Sequence, residues 1–261
     1  MLKRFLPRLF GNAKVEGKAL LRPRLHESRM PDVIYAIGDI HGCHTLLKKL
    51  ESAIVADAET IEGEKWLVYL GDYIDRGPSS AMVLDHLLLP PPNSFRRICL
   101  AGNHEQLACD FLTNAHYDNG WLGPDFGGRE TLASYGLQDL DRDSEHLTHQ
   151  LASHIPEDHL DLLGTLPSML TVPGYCFVHA GVDPRLPLAD QRERVLLWSR
   201  PHEFAWPAAG TGYRVIHGHT PVERLDLTQQ RVNIDLGAYA TGRLGALRIT
   251  RTGEISAIVA G

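Results

Sequence analysis

The chain is predicted to be a single α/β domain in which two mixed β-sheets pack face to face and helices flank them. Two observations carry this. Through the first half, short apolar runs alternate with helical stretches, the pattern of a parallel sheet covered on both faces. Further apolar runs then crowd the C-terminal part of the chain, and the last three lie so close together that an antiparallel portion is expected.

The elements follow in order. "DVIYAIGDI" at 32–40 is a strand, followed by a helix over roughly 43–56. "KWLVYLGD" at 65–72 is a second strand, with a helix over roughly 78–89 and a turn at "PPPN", 90–93. "RRICLAGN" at 96–103 is a third, with a helix from about 104. Residues 116–170 read as mostly helical, with turn signals at "DNG", "FGG" and "LP". The remaining strand candidates are "YCFVHA", "YRVIHGH", "RVNIDLG", "LGALRI" and "EISAIV". Ahead of all these, residues 1–30 are basic and broken by Pro7, Gly11, Gly17 and Pro23. They are expected to form a loosely ordered tail, leaving 31–261 as the domain.

Composition narrows the function. With 261 residues and 43% hydrophobic content the chain can bury a substantial core. A net charge of −6 and a pI near 6.1 argue against a general nucleic-acid binder. The apolar stretches of the N-terminus are too short for a signal sequence or a membrane span. Cys43, Cys99, Cys109 and Cys176 form no CxxC pair, which fits a reducing, cytoplasmic setting. Cys99 and Cys176 sit in strand-like runs and read as buried thiols.

The strand ends carry the chemistry. The first three close with "GDIHG" (38–42), "GDYIDRG" (71–77) and "GNHE" (102–105). Asp39 and Asp72 are 33 residues apart, Asp72 and Asn103 31, and one βαβ unit takes about 30 residues. These polar groups therefore reach the same edge of the sheet, where open α/β sheets bind ligands. Two later strands end in "VHAG" (178–181) and "HGHT" (217–220). Five strand ends then bring together Asp39, His41, Asp72, Asn103, His179 and His219. Oxygen and imidazole donors without thiolate suit Mn, Fe, Zn or Ni rather than a structural zinc. Six ligands exceed the needs of one ion with open positions, and a carboxylate such as Asp72 can bridge two ions. Arg76 then reads as a clamp for phosphate oxygens. Asp75 can hydrogen-bond His104 and keep that imidazole protonated and oriented as a general acid.

In this order the motifs resemble those of the calcineurin-like metallophosphoesterases, most closely the phosphoprotein phosphatase branch with its small bacterial and phage-type members. "NIDLGA" at 233–238 extends the similarity, and residues 1–30 fall outside it. The resemblance implies a double β-sandwich with outer helices. It implies that Asp39, His41 and Asp72 hold one metal and that Asp72, Asn103, His179 and His219 hold the other, with two Mn²⁺ ions as the expected cofactor and Fe, Zn, Ni or Mg as substitutes. It makes His104 and Asp75 the catalytic pair, Arg76 a phosphate ligand, and Arg200 in "LLWSR" (196–200) the second phosphate-binding arginine. A metal-bound hydroxide would attack directly, with no phosphoenzyme.

Taken singly, Asp39, Asp72 and Asn103 are ordinary turn formers, and only their shared strand-end position makes them ligands. His217, beside Gly218, reads as a supporting or packing residue, and His44 as a cap or surface group. The remaining histidines carry no motif. Arg129, in "FGGRETLASYG", reads equally as a substrate contact or an exposed helix-start residue. Phe126 stands where related bacterial proteins tend to carry Asn before Gly-Gly, which bears on substrate contacts rather than on metal chemistry. The expected partner is a phosphorylated protein, dephosphorylated at serine, threonine or also tyrosine. The alternative is a symmetrical diadenosine tetraphosphatase, against which stand the intact "DRG" at 75–77 and "GHT" in place of a GHW-like last motif. A catalytically silent phosphate-binding module is disfavoured by the complete ligand and acid set.

Overall fold

The computed structural model of the chain describes residues 21–92, 94–113, 119–140, 144–207 and 210–261. Its strands are β1 (Arg24–His26), β2 (Val33–Ile37), β3 (Lys65–Tyr69), β4 (Phe95–Cys99), β5 (Met169–Val172), β6 (Tyr175–Val178), β7 (Arg214–His217), β8 (Arg231–Asn233), β9 (Leu244–Thr250) and β10 (Ile255–Ala260). Its helices are α1 (His44–Asp57), α2 (Ser80–Leu88), α3 (Asn103–Thr113), α4 (Gly128–Ser134), α5 (Ser144–His154), α6 (Glu157–Thr165), α7 (Glu193–Trp198) and α8 (Ala238–Thr241).

Two five-stranded sheets form, in the orders β10-β9-β2-β3-β4 and β1-β5-β6-β7-β8. In the first, β2, β3 and β4 run parallel, and β9 and β10 add an antiparallel pair. In the second, β6, β7 and β8 run parallel while β5 opposes β6. Every residue of β2 is fully buried, because both faces of its sheet are covered. Ile34 and Ala36 face Leu170, Phe177, Ile216 and Val232 of the other sheet. Val33, Tyr35 and Ile37 face the helical side, with Leu47, Leu50 and Ile54 of α1 and Val83 and Leu84 of α2. On the outside of the second sheet, Cys176, Val178 and Val215 pack with Leu196 of α7.

Three features differ from the sequence expectation. "RVNIDLG" does not join the antiparallel group: β8 is parallel to β7 in the second sheet, and only β9 and β10 form the antiparallel pair. β5 begins at the last two residues of the stretch read as mostly helical and is not among the expected strands, since a run of four residues is too short to declare its period. β1 lies inside the expected tail, and its "RLH" has no apolar run at all. Residues 1–20 are outside the described residues. From residue 21 on the segment is tied down: β1 pairs with β5, and buried Arg22 donates to the carbonyls of Leu163 and Leu166 at the end of α6. All four cysteines are free, with Cys176 buried and Cys99 half-buried. Among the described residues, no helix is long and apolar enough to cross a membrane.

Candidate metal centre

The parallel strands of both sheets end on one edge, and the loops leaving that edge are sharply bent. Among the described residues six non-glycine positions have positive φ, and five are motif residues: His41 (45°), Asp72 (52°), Asp75 (73°), Arg76 (65°) and His219 (70°). Side chains rarely occupy this region, and clusters of such positions mark sites where the backbone is over-determined by its surroundings. The motif glycines make room for the same groups. A Cβ on Gly102 would fall 2.0 Å from Asp72 Oδ1, and one on Gly218 would fall 2.0 Å from Asp39 Oδ1.

Four of the predicted ligands, His41, Asp72, His179 and His219, fall in two clusters that share Asp72, and His104, expected as the acid, stands in the first. In one, atoms of His41, Asp72 and His104 lie within 4.8 Å of one another; in the other, atoms of Asp72, His179 and His219 do. Asp72 Oδ2 is 3.5 Å from His41 Nε2 and 3.4 Å from His179 Nε2. Asn103 Oδ1 is 2.8 Å from both His179 Nε2 and His219 Nδ1. Asp39 is not part of either close cluster. It accepts the His219 backbone N–H over 3.0 Å through Oδ2, and its Oδ1 is buried without a hydrogen-bond partner.

These donors fit a cation. His41 and His179 donate Nδ1–H to the carbonyls of Ile74 and Leu70, over 2.9 and 3.0 Å. Burial lowers both imidazoles well below the usual range, His179 to about 3, so each is neutral and has spent its one proton. The Nε2 lone pairs are thereby turned inward. His179 Nε2 and Asn103 Oδ1 then face each other as two acceptors, an arrangement that a cation between them satisfies. Burial, helped by Asp235 and Asp72, pushes the Asp39 carboxyl well above its ordinary range, and burial also raises Asp72. A positive charge would relieve that crowding.

Beside the shared aspartate, His104 Nδ1 lies 2.7 Å from Asp75 Oδ2, and His104 Nε2 lies 3.8 Å from Asp72 Oδ2. Here the expectation of a protonated imidazole is not met by the protein groups alone. Burial, with Arg76 adding to it, lowers His104 to about 4 and outweighs the upward pull of Asp72; burial also raises Asp75. Arg76 is half-buried, its guanidinium 4.8 Å from the Tyr239 ring centre, and that ring meets His41 edge-on. Arg200 is exposed and donates to the His219 carbonyl (3.4 Å) and Thr220 Oγ1 (3.2 Å), which places it at the rim of the same edge. Phe126 contacts His104 and Trp198 edge-on, at 5.6 and 6.2 Å between centroids.

Other predicted groups stand apart. His217 is buried, donates Nδ1–H to the Gly218 carbonyl, and belongs to neither cluster. Arg129 is exposed and borders a surface cavity with Glu130, Leu137 and Leu140. His116 lies outside the described residues.

Four contributors have no role in the sequence reading. Glu105, quoted only as the end of "GNHE", is fully buried and accepts the backbone N–H groups of Gly102, Asp72 and Tyr73, each over 2.8 Å. It ties the second motif loop to the third. Asp235 of "NIDLGA" is buried beside Asp39 and Asp72 and is raised to about 6, chiefly by burial. Trp121 and Thr131 hydrogen-bond Asp75 from the insertion between the third and fourth motifs. Glu105 and Asp235 could be found from the motifs that contain them; Trp121 and Thr131 carry no local signal.

The sequence profile of the family "Calcineurin-like phosphoesterase" matches residues 33–261. The chain belongs to this family. Among curated relatives, this calcineurin-like phosphoesterase is 26% identical over 239 residues to bis(5'-nucleosyl)-tetraphosphatase PrpE (asymmetrical) of Anoxybacillus flavithermus, covering 84% of this chain and 91% of the relative. The protein of the same name from Bacillus subtilis is also 26% identical over 239 residues, with 84% and 92% covered. Among solved structures, a diadenosine tetraphosphatase-like protein superposes with a TM-score of 0.61 at 19% identity, covering 92% of this chain and 99% of the other. A protein serine/threonine phosphatase from Saccharomyces cerevisiae superposes with a TM-score of 0.55 at 17% identity, covering 92% and 83%. At these identities the structural likenesses speak for the fold.

Proposed function

We propose that this phosphoesterase is a phosphomonoesterase acting on phosphoserine and phosphothreonine in proteins, with phosphotyrosine open to the same chemistry. The observation that carries this reading is the buried His104–Asp75 pair beside the two ligand clusters. A serine or threonine alkoxide is a strong base and leaves readily only if protonated, whereas the phosphate leaving group of a nucleotide anhydride needs little help. An elaborate acid is therefore best explained by an alkyl ester.

Asp39, His41 and Asp72 would hold one divalent ion, and Asp72, Asn103, His179 and His219 a second; manganese is the ion this reading takes. When bound, the ions supply Lewis acidity and an activated water at neutral pH. The chain's own groups do the rest. Arg76 and Arg200 hold the non-bridging phosphoryl oxygens, and Arg76 is aimed by its stacking on Tyr239. His104 delivers the proton from Nε2 to the departing oxygen. It becomes protonated only as the phosphorylated substrate adds negative charge beside it, and Asp75 holds Nδ1–H throughout.

A second reading is favoured by the curated relatives, which carry the name of asymmetrical bis(5'-nucleosyl)-tetraphosphatases. It differs from the expected alternative in the position of cleavage. The distinguishing experiment is a substrate panel on metal-reconstituted enzyme: phosphopeptides, an aryl phosphate and diadenosine tetraphosphate. The phosphopeptides are expected to give the higher kcat/KM. Faster conversion of the dinucleotide to AMP and ATP would replace this proposal with the second reading.

A further inference from the structure

Asp75 is held by side chains that belong to none of the recurring motifs. We propose that Trp121 and Thr131 are positioning residues that fix the Asp75 carboxylate and, through it, aim His104 at the leaving group. The inference rests on His104 being the general acid, as above.

Three donors converge on this one carboxylate. His104 Nδ1 and Trp121 Nε1 donate to Oδ2 over 2.7 and 2.8 Å, and Thr131 Oγ1 donates to Oδ1 over 2.6 Å. Both oxygens are engaged, so the carboxylate plane cannot turn. Thr131 Oγ1 also accepts the Asp75 backbone N–H over 2.8 Å. One hydroxyl thus grips the backbone and the carboxylate of a residue held at φ 73°, a conformation that persists only when its neighbours enforce it.

The supports are themselves rigid. Trp121 is fully buried, its ring 5.2 Å from that of Phe111 on α3, the helix that begins with His104 among its first residues. Its backbone carbonyl accepts Gly128 N–H over 3.0 Å, and a Cβ on Gly128 would fall 2.6 Å from the indole. The "FGG" turn is therefore pressed against the indole. The same turn reaches the neighbouring phosphate clamp, since the Gly127 carbonyl accepts Arg76 N–H over 3.2 Å. The insertion sets the direction of the acid and the backbone of the clamp together, which gives a physical reason for two glycines at 127 and 128.

The test uses the full chain loaded with manganese and variants that delete single hydrogen-bonding groups. Trp121→Phe keeps an aromatic ring without the N–H; Thr131→Val keeps the branched shape without the hydroxyl, and Thr131→Ser restores the hydroxyl. On a phosphoserine peptide, Trp121→Phe and Thr131→Val are each expected to lower kcat about ten-fold, with Thr131→Ser near wild type. On 4-nitrophenyl phosphate, whose leaving group needs little protonation, the loss should stay within about two-fold. In a His104→Asn background neither substitution should cost anything more, because its effect runs through His104. Equal losses on both substrates, or an undiminished loss in the His104→Asn background, would overturn the proposal. If Trp121→Phe lowers stability or metal content, the Thr131 pair still decides. If His104→Asn itself slows both substrates equally, the acid assignment falls and this inference falls with it. If His104→Asn discriminates between the substrates and the Trp121 and Thr131 variants do not, this inference alone is wrong.

Discussion

His104 Nδ1 meets Asp75 Oδ2 at 2.7 Å with the two residues 1% and 0% exposed, so the pair works without competing water. Buried, with its other nitrogen 3.8 Å from the shared Asp72, His104 is in the proposed mechanism the group that protonates the leaving oxygen. His104→Asn is expected to lower kcat roughly 10²–10⁴-fold on an alkyl phosphate and much less on an activated aryl phosphate. Asp75→Asn should show the same pattern more weakly. Steady-state kinetics on the two substrates check this, and equal losses would remove His104 from the acid role.

Asp72 is the residue common to both ligand clusters. Asp72→Asn removes the charge that two ions would share, so occupancy should fall well below the two ions per chain expected of reconstituted wild type, and turnover should fall with it. Elemental analysis after gel filtration reads the stoichiometry. A fully active wild type with a single tightly held ion would contradict the binuclear assignment.

Protons and a bound cation would compete for the carboxyls of this site. Burial, aided by Asp72, raises Glu105 to about 8 even though three backbone N–H groups pull it back. A carboxyl raised in the folded state holds its proton where the unfolded chain has lost it, so stability falls as pH rises toward the folded value. Buried histidines act oppositely, but only below the unfolded value of about 6.5, where His104 and His179 have been lowered to about 4 and about 3. Asp235, raised to about 6, has finished titrating by then. Between about 6.5 and 8 the carboxyls act alone. Chelated protein should therefore lose thermal stability across that window, and added Mn²⁺, which favours the deprotonated ligands, should cancel or reverse the trend. Thermal melts with and without chelator at several pH values measure it.

What the sequence discloses depends on how the physics is distributed along the chain. β2 and β3 are legible because burial on two faces writes a nearly continuous apolar run, β4 only through its apolar end "ICLA" since Arg96 and Arg97 interrupt it, and Asp39, Asp72 and Asn103 are legible because each follows such a run after a single glycine. β1 is illegible for the converse reason, being held by its pairing with β5 rather than by an apolar pattern of its own, and β5, apolar but only four residues long, is too short to show a period. The same holds at the site. Glu105 acts on backbone groups 32 and 33 residues away, and Trp121 reaches Asp75 across 46 residues of a loop-rich insertion. The motif points to Glu105, but neither local sequence encodes those distances.

Arg22 offers a stability test of the ordered end of the segment read as a tail. Its guanidinium bonds the carbonyls of Leu163 and Leu166 over 3.0 and 3.2 Å, and its backbone N–H bonds Glu193 Oε2 over 2.7 Å. Arg22→Ala would strand two carbonyls at the C-terminal end of α6, at a cost of about 2–4 kcal/mol. Denaturant unfolding should show the midpoint falling with the slope unchanged. An unchanged midpoint would mean that the segment is peripheral to stability.

In the proposed mechanism Arg76 clamps phosphoryl oxygens, and it leans on a neighbour. It sits at φ 65° with its guanidinium 4.8 Å from the centre of the Tyr239 ring, and that ring is 43% exposed, so little else restrains it on that side. Guanidinium–aromatic contacts at partly exposed sites contribute about 0.5–1 kcal/mol, which corresponds to roughly a two- to five-fold effect on binding if lost. Arg76→Ala should cost far more, because it removes a charged, bidentate contact to oxygens whose charge changes in the transition state. Arg76→Lys should recover only part of that loss, since an ammonium offers a point charge without the fork. The expected order of kcat/KM on a phosphopeptide is therefore wild type, then Tyr239→Phe close behind, Tyr239→Ala a few-fold lower, Arg76→Lys lower again and Arg76→Ala lowest. Tyr239→Ala should also have no further effect once Arg76 is alanine, if the ring acts by holding the guanidinium. Should Tyr239→Ala reduce kcat/KM just as much in the Arg76→Ala background, the ring would be contacting substrate itself, and the stacking geometry would not be its working role.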